Sequence, residues 1–219
     1  MTEPVDLNAL DLAALISSRL CHDVISPVGA IVNGLEVLED EKDPAMREFA
    51  VELVRKSALQ ASARLQFARL AFGAAGSAGA MIDLADAENV ARGFLRDSKA
   101  ELTWSAPRAL LPKNKVKLLL NLLVIAHSTI PRGGTLDILV EGAEPDTAFR
   151  LVTTGPMARI PANVQDLIAG QPADGHVDAH VIQPFYTGLV ARAAEMDVEM
   201  RIEGDKVTIE SLPALPGGA

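Results

Sequence analysis

The chain is poor in cysteine and in positive charge. Cys21 is its one cysteine, which excludes an internal disulfide and any metal site built on clustered cysteines. Lysine and arginine total 20 against 29 acids, a formal net charge of −9. Without a basic excess there is little to neutralise phosphates, which argues against nucleic acid or an anionic membrane as a general partner. Long apolar runs are also missing. The longest, Val116 to Ile130, is broken by Lys117, Asn121 and His127, so it reads as a buried helix rather than a membrane span. No secretory leader is read at the start, and the expected location is the cytoplasm. What is present is ordinary globular material, 49 % hydrophobic and 22 % charged over 219 residues. That is enough for one large domain or two small ones with real cores.

The N-terminal third has helical periodicity. A helix is predicted from about Asn8 to about Glu41, capped by Asp6 or Asn8, behind a frayed tail over residues 1–6. At 100° per residue Leu20, Val24, Val28, Ile31, Leu35 and Leu38 share one side. Ser18, His22, Gly29, Asn33, Glu36 and Asp40 share the other, so His22 projects from the polar face. Glu41-Lys42-Asp43-Pro44 breaks the helix. Asp43 suits a cap and Pro44 a first helical position, where its missing N–H costs nothing. A second helix is predicted from Pro44 to Phe72, stopped by Gly73.

Two helices of about thirty residues make a hairpin about 45 Å long at 1.5 Å rise per residue. Such a hairpin buries only part of its apolar surface. Pairing with a second copy into a four-helix bundle completes the burial; cover by the C-terminal half is the alternative. The small, flexible stretch Gly73-Ala-Ala-Gly-Ser-Ala-Gly79 reads as a boundary between a hairpin domain, 1–75, and a second domain, 80–219. That domain is mixed. Helices are predicted over Asp83–Asp97, Lys113–Ile130, Ala162–Ala169 and Val181–Met196, the last with Pro184 as a possible true start. Strands are predicted over Ala100–Trp104, Thr135–Glu141, Ala148–Thr153, Val198–Glu203 and Lys206–Leu212, giving one sheet with helices packed over it.

A lone histidine on a helix is ordinarily a plain surface or core residue. His22 differs in its neighbours: Asp23 follows directly, Pro27 interrupts the helical ladder, and small Ser26, Gly29 and Ala30 leave room for a docking surface. His22-Asp23-Val24-Ile25-Ser26-Pro27 resembles the H-box of two-component histidine kinases. The stretch from Leu118 to Thr135 resembles their N-box helix, with Asn121 in place and a Pro-x-Gly-Gly turn at Pro131-Arg132-Gly133-Gly134. The second N-box asparagine is replaced by Ile125, which offers a hard cation no oxygen. The adenine-reading Asp-x-Gly-x-Gly loop is matched by Thr153-Thr154-Gly155-Pro156-Met157. The phosphate cradle is reduced to Phe185-Tyr186-Thr187-Gly188-Leu189, with a single glycine where several would bring backbone N–H groups to a phosphate.

Taken together the chain resembles the ChpT group of histidine phosphotransferases, over nearly its whole length. The resemblance implies an α plus α/β fold, with a dimeric four-helix bundle and a degenerate histidine-kinase ATPase-like α/β sandwich that holds no nucleotide. It implies that His22 carries a phosphoryl group between receiver aspartates and that no cofactor belongs to this chain, Mg²⁺ residing on the receiver. The implied partners are the receiver of a hybrid histidine kinase (CckA-like) and those of cell-cycle response regulators (CtrA-like and CpdR-like).

Asp23 either orients the His22 Nδ1–H or is plain helix-surface charge. Arg19, Ser26, Gly29 and Asn33 line the docking face on the wheel, with Arg159 a candidate contact from the second domain. Cys21 is expected as a small buried residue, and Trp104 and Tyr186 as core or interface. His127 is expected to be packed or capped rather than reactive, and His176 and His180 lie in a polar loop without the ligands to complete a metal site. An atypical ATP-dependent histidine kinase and a non-catalytic receiver-binding adaptor are the competing functions.

Overall fold

The computed structural model of the protein describes residues 5–73, 79–173 and 175–214. Helix α1 runs Ala9–Asp40 and α2 runs Pro44–Ala71. Asn8 is the cap of α1. Its Oδ1 accepts from the N–H groups of Leu10 and Asp11, both at 3.0 Å, satisfying donors that the first turn leaves without partners. Asp43 caps α2 through the Ala45 N–H at 3.0 Å, with Pro44 at the first helical position. Arg47 closes the turn from α2, donating to the carbonyls of Leu38 and Glu41 at the end of α1.

Of the tail expected to fray, residues 1–4 lie outside the described residues, and Val5 is tied down. The Val5 N–H donates to the Gly170 carbonyl at 2.8 Å. Val5 and Leu7, with Leu12, Leu15 and Ile16, pack on Leu167, Ile182 and Phe185. An apolar patch far along the chain holds this segment, and local periodicity carried no sign of it.

The helices meet through small residues. Pro27 and Gly34 of α1 and Ala50, Ser57 and Ala61 of α2 are buried. A Cβ on Gly34 would stand 2.6 Å from Val54 Cγ2 and 3.3 Å from the Ala50 carbonyl oxygen, so glycine permits this close approach. The expected apolar stripe divides. Leu20, Val24, Ile31 and Leu38 are partly buried, while Val28 and Leu35 stay exposed beside Ile25 and Val32. Met46 and Phe49 of α2 are exposed as well, Phe49 at 65 %. By length and composition alone α1 is apolar enough to cross a membrane, yet Arg19, His22 and Asp23 stand at its middle.

The second half consists of β1 (Met81–Asp83), α3 (Leu84–Leu95), β2 (Ala100–Ser105), β3 (Leu110–Pro112), α4 (Lys113–Thr129), β4 (Gly134–Glu141), β5 (Ala148–Thr154), α5 (Val164–Ile168), α6 (Ile182–Ala193), β6 (Met196–Glu203) and β7 (Lys206–Pro213). The main sheet has the order β2-β4-β5-β7-β6. β2 and β4 are parallel and the other pairs antiparallel. β1 and β3 form a separate two-stranded ribbon; each has 3 residues, too few for an alternation to show in sequence. Inward residues such as Leu136, Ile138, Phe149, Leu151, Val207 and Ile209 are buried. Arg150, Glu210 and Arg201 form an ion-paired row on the outer face. Helix α6 starts at Ile182, so Pro184 falls in its first turn, where the absent N–H leaves no bond unmade.

The hairpin's lower end belongs to the same core. Phe67 and Ala71 are buried with α3, α4 and the sheet, and Leu70 and Phe72 pack alongside. The Phe67 ring stacks on Phe94 at 4.3 Å, and Phe72 meets Tyr186 at 5.4 Å. Trp104 and Tyr186 are partly buried against this core, as expected. Of the predicted linker, residues 74–78 lie outside the described residues.

Candidate functional site

His22 sits near the middle of α1, its side chain 76 % exposed. Ser26, Gly29 and Asn33 follow at helical spacing on the same side. Ser26 and Asn33 are exposed, and a Cβ on Gly29 would meet nothing within 4 Å. The polar face read from the wheel is therefore open beside the imidazole. Cys21 is exposed, not buried as expected; it lies on the flank of α1 that α2 does not cover.

Asp23 is held from two sides. Its Oδ2 accepts from Arg19 Nε at 3.1 Å, one helical turn back. Its Oδ1 lies 3.7 Å from His22 Nδ1, close but longer than a hydrogen bond. Arg19 thus braces the acid that flanks the histidine, in addition to lying on the proposed docking face. The Asp23 carbonyl would ordinarily accept from the N–H four residues on, but that residue is Pro27, which has none. Arg64 of α2 donates to it instead, across 41 positions of sequence. No local pattern in the sequence could pair Arg64 with a carbonyl on another helix.

His180 is the second residue that the sequence did not bring to this place. It stands on the loop before α6, its ring centroid 6.5 Å from that of His22 and the planes at 75°. Asp178 fixes the loop, accepting from the N–H groups of His180 at 2.8 Å and Val181 at 3.1 Å. These bonds hold the Asp178 carboxyl below its usual range. Arg19 and His180 line one cavity of about 270 Å³ with Ser128, Pro161, Val164 and Gln183 among its walls. Arg159 is exposed on the loop after β5, its N–H bonded to the Thr129 carbonyl at 2.9 Å. It lies outside the lining of that cavity.

The positions that match nucleotide-binding boxes have other duties here. Asn121 is fully buried. Its amide donates to the carbonyls of Ala71 at 3.0 Å and Lys117 at 2.9 Å and accepts from Gln183 Nε2 at 3.3 Å. It ties α2, α4 and α6 together. Ile125 is buried in the core. Thr153 shares a 2.6 Å hydrogen bond with Thr129, both buried. Gly188 lies inside α6 rather than ahead of it, and a Cβ there would stand 1.9 Å from the Ile168 carbonyl oxygen. The glycine lets α6 close on α5. His127 is partly buried, and burial pushes its pKa below the ordinary 6.5. Among the described residues no group of three or more His, Cys, Asp or Glu side chains is arranged to hold a metal.

The family model described as "Histidine phosphotransferase C-terminal domain" matches residues 84–206. The protein phosphotransferase ChpT of Brucella abortus (strain 2308) is 50 % identical over 211 residues, covering 96 % of this chain and all of that one. This chain belongs to the ChpT-type histidine phosphotransferases. A solved bacterial phosphotransferase structure superimposes with a TM-score of 0.88 at 48 % identity, over 96 % of this chain and all of the other. Phosphoryl transfer is accordingly the activity of the protein, and a two-component phosphorelay its setting. A ChpT-type phosphotransferase acts on receiver domains. Helices at the N-terminus followed by a mixed sheet with packed helices are the expected architecture.

Proposed function

We propose that His22 is the phosphoryl carrier of a relay between receiver domains. The observation that carries this reading is the imidazole itself: it is exposed on a rigid helix, and its Nδ1 faces the braced Asp23. The opposite nitrogen, Nε2, is thereby turned outward as the nucleophile. In the first half-reaction the Nε2 lone pair attacks the phosphorus of a receiver's aspartyl phosphate. The N–P bond forms as the O–P bond breaks, and the aspartate leaves as carboxylate. The Nδ1 proton stays on the ring or passes to solvent. In the second half-reaction a carboxylate of another receiver attacks, and the imidazole leaves. Both pass through a loose, in-line transition state, so positioning and charge neutralisation carry most of the catalysis. Mg²⁺ and a neutralising cationic side chain come from the receiver.

The donor is the receiver of a hybrid histidine kinase, and the acceptors are cell-cycle response regulators; the protein acts in the cytoplasm. Asn121, Ile125 and Thr153, engaged in structural bonds or core packing, support a relay that does not draw on ATP. Two copies pair through the exposed flank of Ile25, Val28, Val32, Leu35, Met46 and Phe49. Closure of that flank into a four-helix bundle supplies the cover an amphipathic hairpin lacks alone.

Incubation with a phosphorylated receiver tests the reading. The expected result is acid-labile, base-stable phosphate on His22, lost in His22→Ala. Label taken directly from ATP, or a His22→Ala protein that still relays phosphate, overturns it.

A further inference from the structure

We infer that His180 is a phosphoryl-contacting residue: its imidazole N–H donates to the phosphoryl group carried on His22. The inference rests on His22 being the phosphoacceptor. It starts from the 6.5 Å separation and 75° inclination of the two rings. A phosphoryl group on Nε2 extends a few ångströms beyond its ring, a length comparable with the gap to a ring whose centroid is 6.5 Å away. His180 is held there for reasons unrelated to His22. The Asp178 carboxylate locks the backbone of the loop, and Val181 and Ile182 anchor the next residues in the apolar cluster under α1. The second half of the molecule thus delivers a titratable group to the active face of the hairpin.

The charges around His180 favour this role. From α1, Arg19 lines the same cavity, with its charge partly offset by Asp23 at 3.1 Å. Asp178 on the same loop is engaged by two backbone N–H groups. α4 and α6 contribute Ser128 and Gln183, α5 Val164 and Leu167, none of them charged. A dianionic phosphoryl group arriving on His22 is the strongest new charge at this place and a strong acceptor for a ring N–H. A donor fixed beside the phosphoryl oxygens stabilises the carried state through a charge-assisted hydrogen bond. His180 protects the phosphoryl group during the interval between receivers.

The test uses the whole protein and potassium phosphoramidate. This probe gives its phosphoryl group to a neutral imidazole nitrogen and releases ammonia, so no partner is needed. Phospho-His22 is followed by ³¹P NMR, with His22→Ala as the site control. At about pH 6, His180→Ala and His180→Phe are expected to lose phosphate about three- to fivefold faster than wild type, the scale of a partly exposed charge pair. His180→Lys, which keeps a donor at this place, is expected to restore slow loss. Equal rates for wild type and His180→Ala, or rescue by Phe as complete as by Lys, overturn the inference while leaving phospho-His22 in place. Failure of the wild type to take phosphate on His22 overturns it together with the carrier assignment.

Discussion

Arg64 of α2 donates to the main-chain carbonyl of Asp23 in α1. The bond exists because Pro27, four residues on, has no N–H to offer. A carbonyl in a helix packed along one side needs a partner, and a side chain from the neighbouring helix supplies it. The interruption beside His22 is thus stitched to the second helix, which fixes the rotation of α1 where the imidazole projects.

This predicts a coupled pair of substitutions. Arg64→Met is expected to lower stability by about 1–2 kcal/mol, the cost of a partly buried acceptor left unsatisfied, and to slow phosphotransfer. In a Pro27→Ala background the restored N–H serves the same carbonyl, so Arg64→Met costs less. Urea unfolding of the four proteins measures the coupling; strict additivity rejects the account.

Two glycines on α1 should respond in opposite ways. Gly34→Ala forces a methyl against Val54 and the Ala50 carbonyl, and is expected to destabilise by about 1–3 kcal/mol. Gly29→Ala enters open space and is expected to stabilise by about 0.5–1 kcal/mol, because alanine loses less backbone freedom on folding. Gly29→Trp leaves the melting temperature near that of wild type and abolishes transfer from a receiver, by filling the docking face. Thermal melts beside transfer assays separate the cases.

His127 gives a pH dependence. Burial holds its folded pKa below the ordinary value of 6.5. Between the folded and unfolded values the unfolded chain binds more protons, so stability rises with pH in that window. The contribution is fully present above about pH 6.5 and is lost as pH falls through the folded value. His127→Gln is expected to flatten this part of the profile of unfolding free energy against pH. An unchanged slope counts against burial as the cause.

Charge on the exposed flank should separate the paired copies. Val32→Glu with Phe49→Glu is expected to give single chains by sedimentation velocity, with helix content retained, where wild type sediments as a dimer. Wild-type protein sedimenting as a single chain removes the bundle proposal.

Much of the architecture was legible in sequence because its causes are local. Asn8, Asp43 and Pro44 mark helix ends by chemistry that acts within a turn. The strands of the main sheet show alternation or dense apolar runs. The faulty readings share another cause. Cys21 was expected to be buried, yet it falls on a side of α1 that α2 leaves open. Val28 and Leu35 shared a wheel face with Leu20 and Leu38, but a helix wheel does not say which part of an apolar arc a single neighbour covers. Gly188 read as the remnant of a phosphate cradle and is a contact point between α5 and α6.

Sequence by itself determined the helical hairpin, the outward projection of His22 with Asp23 and Pro27 beside it, and the kinship to phosphotransferases, since periodicity, capping and a short motif are properties of neighbouring residues. Tertiary structure alone decided that Arg64 reaches the Asp23 carbonyl, that Val5 is tied to Gly170, and that His180 stands over His22. Each of those joins residues tens to more than a hundred positions apart, and only the packing of the hairpin on the α/β core sets which of them meet.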